Sequence, residues 1–162
     1  MLKDVTPLPH QIKTINDTVM GGSSHSRVQI TNQKIHFSGE VSLANNGGFA
    51  SMRGIWPWLN SPLVTDMKGI KIIFKGDGKR YQFRLFTADN NDGSAYVYHF
   101  DTKMNEPIVV NVPVSAFEAS YRGRPIEKPG FQLKDVLEYG LLIGDQQEGR
   151  FSLVLESLSI IN

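Results

Sequence analysis

The chain contains no cysteine. Disulfide staples, thiolate catalysis and Cys-based zinc or iron–sulfur sites are therefore excluded. It also lacks a surplus of charge of either sign. Its 17 Lys and Arg against 16 Asp and Glu leave a formal charge of +1, which exerts no electrostatic pull on nucleic acid or an anionic membrane. No apolar run approaches the length of a membrane-spanning helix. The opening MLKDVTPLPHQ has neither the apolar core of a signal peptide nor the Arg-rich amphipathy of a mitochondrial presequence. A cytoplasmic location without membrane insertion is expected. The sequon Asn16-Asp17-Thr18 then carries no weight. Histidine is scarce as well. His10, His25, His36 and His99 form no i, i+4 pair around a Glu and no short ligand spacing, so no metal site is expected.

What is present is a β pattern. At 162 residues the chain is expected to be one domain, 1–162, burying roughly 70% of the surface its unfolded form exposes. Apolar and polar residues alternate over 26–30 and 34–41, with Thr31-Asn32-Gln33 as the turn between them. A third strand is expected over 49–53, after Asn45-Asn46-Gly47-Gly48. Ile70, Ile72 and Phe74, then Tyr81, Phe83 and Leu85, share alternating faces on either side of Gly76-Asp77-Gly78. That spacing predicts a hairpin. Further strands are expected over 95–100, 108–112, 141–143 and 151–161, the last bent near Ser157. Single helical turns are expected within 114–119 and 133–139. About ten short strands with frequent turns predict an all-β, two-sheet antiparallel sandwich.

The motifs that suggest chemistry mostly fail on spacing. Gly21-Gly22-Ser23-Ser24 lacks the Lys of a phosphate loop and precedes a strand rather than a helix. Asp89 to Gly93 places Gly and the required Glu wrongly for a calcium loop. There is no G-x-S-x-G elbow, and the carboxylates are scattered singly. No catalytic constellation can be assembled, and no cofactor is expected. Three groups stand out as binding candidates. Tyr121, Arg122 and Arg124, beside Gly123 and Pro125, suit a carboxylate or a stacking partner, or tie their own loop. Trp56 and Trp58 suit a sugar or partner platform, although a lid over the end of the sandwich core is the preferred reading. Tyr96, Tyr98 and Arg84 lie on strands that such a ligand would cross.

Several blocks, taken in order, resemble the complex I intermediate-associated protein 30 family. Asn16-Asp17-Thr18-Val19-Met20-Gly21-Gly22-Ser23-x-x-Ser26 resembles its N-terminal signature. Phe37-Ser38-Gly39 and Ser42 to Arg53, with Asn45, Asn46, Gly47, Gly48 and Phe49, resemble its second block. Gly76-Asp77-Gly78-Lys79-Arg80-Tyr81 is similar to its central hairpin. Phe117 with Tyr121-Arg122-Gly123-Arg124 is similar to its RGR block, and 140–143 and 151–155 to its closing strands. Ala44 departs from the Glu the family often carries there. The resemblance covers about 15–160 and implies a galactose-binding-like jelly roll. Lacking the N-terminal extension of mitochondrial members, the chain is expected to be a compact bacterial relative. For mitochondrial members the resemblance implies a non-enzymatic part in assembling respiratory complex I.

Three functions follow as expectations: a module that binds a protein partner, a carbohydrate-binding module, and, last, an uncharacterised enzyme. Oligomeric state is left open. The glycine-rich motif is expected to be structural. Asn16 and Asp17 would bond loop backbone, Val19 and Met20 would plug the sandwich end, and Gly21-Gly22 would permit close approach. At least one of Arg53, Arg80 and Arg84 is expected to pair with a carboxylate or loop carbonyl.

Overall fold

The computed structural model describes residues 3–4 and 12–162. His10 lies outside them. The strands among the described residues are β1 (Lys3–Asp4), β2 (Ile12–Asn16), β3 (His25–Thr31), β4 (Lys34–Val41), β5 (Ala50–Ile55), β6 (Gly69–Lys75) and β7 (Arg80–Thr87). They continue as β8 (Ser94–Asp101), β9 (Pro107–Pro113), β10 (Glu118–Tyr121), β11 (Arg124–Pro125), β12 (Val136–Ile143) and β13 (Gly149–Ile161). The helical segments among the described residues are short 3₁₀ turns.

The strands form two antiparallel sheets. One runs β3-β4-β13-β6-β9, with β1 added to β13; the other runs β11-β10-β8-β7-β12-β5-β2. Their inner faces share one core, in which Phe37, Phe74, Leu153 and Ile160 of the first sheet meet Met52, Phe83, Tyr139 and Leu141 of the second. Each such side chain contributes on the order of 1.5–3 kcal/mol when fully buried. The alternation in the sequence therefore reports the inward face correctly. Between β3 and β4, Thr31 pairs with Lys34, and Asn32 and Gln33 both take positive φ (53° and 66°). That is the two-residue turn that matches strand twist.

The expected Gly76-Asp77-Gly78 hairpin is not formed. β6 pairs with β13 and β9, and β7 with β8 and β12, so the two strands lie in different sheets. The segment between them crosses from one sheet to the other. Asp77 anchors the crossing: its carboxylate accepts from the Tyr81 hydroxyl (2.9 Å) and the Ser152 N–H (2.9 Å). Two consecutive strands facing one core alternate identically whether they pair or cross. The helical turns also prove shorter than expected. Val114–Ala116 and Leu133–Asp135 are 3₁₀ turns that give way to β10 and β12, because Phe117, Val136 and Tyr139 are drawn into the core. The bend in β13 is present as a register shift against β6 between Leu155 and Ser157.

Candidate functional site

Two clusters of charge stand out in this frame. The first follows β2. Asp17 is fully buried and opens a 3₁₀ turn, Asp17–Met20. Its Oδ1 accepts the Ser24 N–H at 2.9 Å. Its Oδ2 accepts the Ser24 hydroxyl at 2.6 Å, the Gly48 N–H at 2.7 Å and the Phe49 N–H at 3.3 Å. A Cβ at Gly22 would stand 2.4 Å from Asp17 Cγ, and one at Gly47 would stand 2.5 Å from Oδ2. Each Gly-Gly pair thus gives up a side chain so that backbone can close on one carboxylate. Burial pushes the Asp17 pKa up, but the hydrogen bonds from the Ser24 hydroxyl and the Gly48, Ser24 and Phe49 N–H groups outweigh it and hold the carboxyl below its ordinary value. Beside it, Asn16 Oδ1 accepts from the Ser26 hydroxyl (2.7 Å) and the Ser51 N–H (3.2 Å). Ser23 donates to Ser42 Oγ at 2.9 Å.

The second cluster lies on the outer face of the seven-stranded sheet. Register places Glu118, Val97, Arg84, Gly140, Arg53 and Lys13 in one row across β10, β8, β7, β12, β5 and β2. In-register partners point to the same side, so all six positions share a face. Phe86, Ala95 and Val97 form a small buried cluster separate from the main core. The Arg53 guanidinium sits 3.7 Å above the Phe86 ring and 3.6 Å from Glu138, while the Arg84 guanidinium is 5.9 Å from the same ring. A Cβ at Gly140 would press on the Met52 carbonyl at 2.8 Å and on Phe86 at 3.4 Å. The Phe86 ring therefore lies against Gly140, in the place that a side chain there would take.

Arg84 is the unusual member. Its Nε is buried without a hydrogen-bond partner. Burial first, and the charge of Arg53 second, pull its pKa down to about 10, so it still carries its charge at neutral pH. A family model for complex I intermediate-associated protein 30 matches residues 5–155. The chain belongs to this family. An uncharacterized protein of Schizosaccharomyces pombe is 31% identical over 111 residues, covering 60% of this chain and 51% of that protein. The chain thus spans about half the length of that relative.

Among solved structures, the family 11 carbohydrate-binding module of a Clostridium thermocellum cellulosomal cellulase superposes with a TM-score of 0.69 at 12% identity, over 100% of this chain and 95% of that one. The same module solved with a mixed-linked tetrasaccharide gives a TM-score of 0.67, also at 12% identity, over 99% and 95% of the two chains. An agarase gives 0.59 at 10% identity, over 98% of this chain but 23% of its own. Such identities establish the fold, a galactose-binding-like jelly-roll sandwich, and nothing about ligands.

The family blocks separate on this fold. The N-terminal signature and the second block meet at Asp17, from opposite directions, to make the carboxylate knot. Asn45 and Asn46 make the exposed turn leading to it, with φ of 56° and 60°. Val19 does not plug the sandwich end: it is 71% exposed, because the 3₁₀ turn rotates it outward. The Met20 side chain lies outside the described residues. Gly76 packs against Thr102, Gly78 takes φ 90°, and Tyr81 is locked onto Asp77.

Most of the binding candidates are not brought together. Trp56 and Trp58 are buried (1% and 3% exposed) and packed on each other at 4.9 Å, with Trp56 also against Tyr139, so they form no surface platform. Tyr96 is buried too, its ring on Phe131 and its hydroxyl on the Pro129 carbonyl at 2.7 Å, where it ties down a loop. Tyr98 points inward beside Phe117. Arg122 and Gly123 form a tight positive-φ turn between β10 and β11, with Arg122 over the Tyr121 ring at 5.4 Å. Arg122 and Arg124 are exposed at the sheet edge, with β10 and β8 between β11 and the strand of Arg84. Arg53 and Arg80 do pair with carboxylates, Arg80 reaching Asp101 at 3.3 Å and Asp145 at 3.7 Å. The Arg53–Phe86–Arg84 grouping was not anticipated as a unit. Its only trace in the sequence is that Arg84 and Phe86 occupy the outward phase of β7.

Proposed function

We propose that the chain is a non-catalytic binding module whose ligand is a protein, in the manner of factors that assist assembly of respiratory complex I. The whole described fold acts as one unit in this reading, in a cytoplasmic setting. Family membership supplies the assembly theme. The carrying observation is the outer face of the seven-stranded sheet, which bears a charged group, Arg84, whose buried Nε has no hydrogen-bond partner among the described residues. Among the described residues no helix is long and apolar enough to cross a membrane, and no cluster of three or more potential metal ligands is found.

The carbohydrate-binding reading draws on the fold of its structural neighbours. It is the weaker reading for this chain because its aromatic candidates are turned inward, and sugar recognition by stacking requires a free ring face. On the outer face, Phe86 is covered by the Arg53 guanidinium. Affinity capture from the native host, using the intact chain as bait, should recover a stable protein partner. Recovery of none counts against the proposal. A glycan array should be flat, and saturable binding to a neutral glycan would restore the alternative.

A further inference from the structure

The outer face also points to what kind of group the partner presents. Arg84 has no hydrogen bond or ion pair among the described residues, its Nε is buried, and a second guanidinium lies one glycine away across β12. Glu138 is engaged with Arg53 at 3.6 Å. Glu118 is separated from Arg84 by the whole of β8, about two strand spacings or roughly 9.6 Å. A largely buried cation beside a like charge is unfavourable unless an anion completes it. Here the missing anion can come from outside, because Arg84 as a whole is only partly buried and keeps some of its side chain at the surface.

We propose that Arg84 is a carboxylate receptor, and that a partner protein seats an Asp or Glu side chain on it. This occupant rests on the protein-binding reading above. The planar guanidinium fork matches a carboxylate through two parallel hydrogen bonds. Phe86, Ala95 and Val97 supply a low-dielectric wall that strengthens such a pair. An acidic protein segment suits the site better than a neutral sugar, since charge is displayed here and ring faces are not.

The test has two arms. Arginine Nε–Hε resonances of the intact domain are followed by NMR during titration with glutarate. Arg84 should shift saturably and before the exposed Arg122 and Arg124. Arg84→Met, which keeps the aliphatic stem, should leave the free domain as stable as before or raise its Tm by about 2–4 °C. The same variant should weaken retention of the captured partner at least tenfold, and Arg84→Lys, lacking the fork, should weaken it nearly as much. The receptor is overturned if Arg84 shifts no earlier than Arg122 and Arg124, if Arg84→Met destabilises the free domain, or if wild type and Arg84→Met hold the partner equally. Arg84-dependent retention of polygalacturonate in place of any protein would move the carboxylate to an acidic glycan and overturn the protein occupant. Should capture recover no partner, the binding-module reading fails, while the glutarate titration still decides whether Arg84 receives a carboxylate.

Discussion

Asp17 and Arg84 are charged side chains withdrawn from water in the same sandwich, and they are treated in opposite ways. Asp17 collects four hydrogen bonds from two distant loops. Arg84 collects none and has a guanidinium for a neighbour. A buried charge that is fully bonded by its own chain belongs to the fold. One left open on a sheet face represents stability forgone, which natural proteins tolerate where a ligand completes the arrangement. The same contrast explains why the glycine-rich motif, the most conspicuous feature of the sequence, is not the binding site. Its polar groups are already spent on one another.

The sharpest way to break the comparison is to put a side chain into the knot. Gly22→Val drives atoms into the Asp17 carboxylate and should cost more than about 4 kcal/mol, seen as loss of the cooperative urea transition. A variant with an unchanged midpoint and lost partner binding would turn the motif back into a functional site. Asp17→Ala follows at about 3–5 kcal/mol, because the Ser24, Gly48 and Phe49 N–H groups would be buried without acceptors. Acid should act on the same group. Its folded-state pKa lies below the unfolded value of about 3.9. The stabilisation is therefore complete above that value and is lost as pH falls through the lower folded value. Urea midpoints taken below about pH 4 should fall less steeply for Asp17→Asn than for the wild type.

Arg84→Met should reverse the sign, adding about 1 kcal/mol to the free domain. Equal destabilisation by Asp17→Ala and Arg84→Met would erase the distinction drawn between them. The smallest effect is expected at Arg53→Gln. The Arg53–Glu138 pair is about one-third exposed on both sides, so its loss should change stability by less than about 1 kcal/mol and matter less as salt is raised.

How far the sequence reaches is visible in the same two places. Inward positions are legible because alternation has a period of two, so Phe37, Phe74, Phe83 and Leu153 fall into the core as expected. The family blocks marked both Gly-Gly turns, but not that a single carboxylate joins them, since that depends on β2 and β5 lying side by side. The β6–β7 connection is not legible, because alternation names the buried face and is silent about the adjacent strand. For Trp56 and Trp58 the preferred lid reading holds: both are buried, and Trp56 packs on Tyr139. Arg84 is legible in the sequence as one binding candidate among several, without the neighbours that single it out. Its meaning comes from Gly140 and Arg53, dozens of positions away, which only the sheet register sets beside it.

The long strand β13 has a consequence for the order in which the domain is made. It lies between β4 and β6 and pairs with both, so the six-stranded sheet has a gap at its centre until residues 149–161 arrive. During synthesis β4 and β6 would wait, their inner faces bare, for more than seventy further residues to emerge. Pairings of such sequence separation are slow to close and exposed to aggregation in the interval. A nascent chain stalled before Gly149 should therefore be captured by chaperones and remain sensitive to protease. Release of the remaining strand should set the rate at which protection appears.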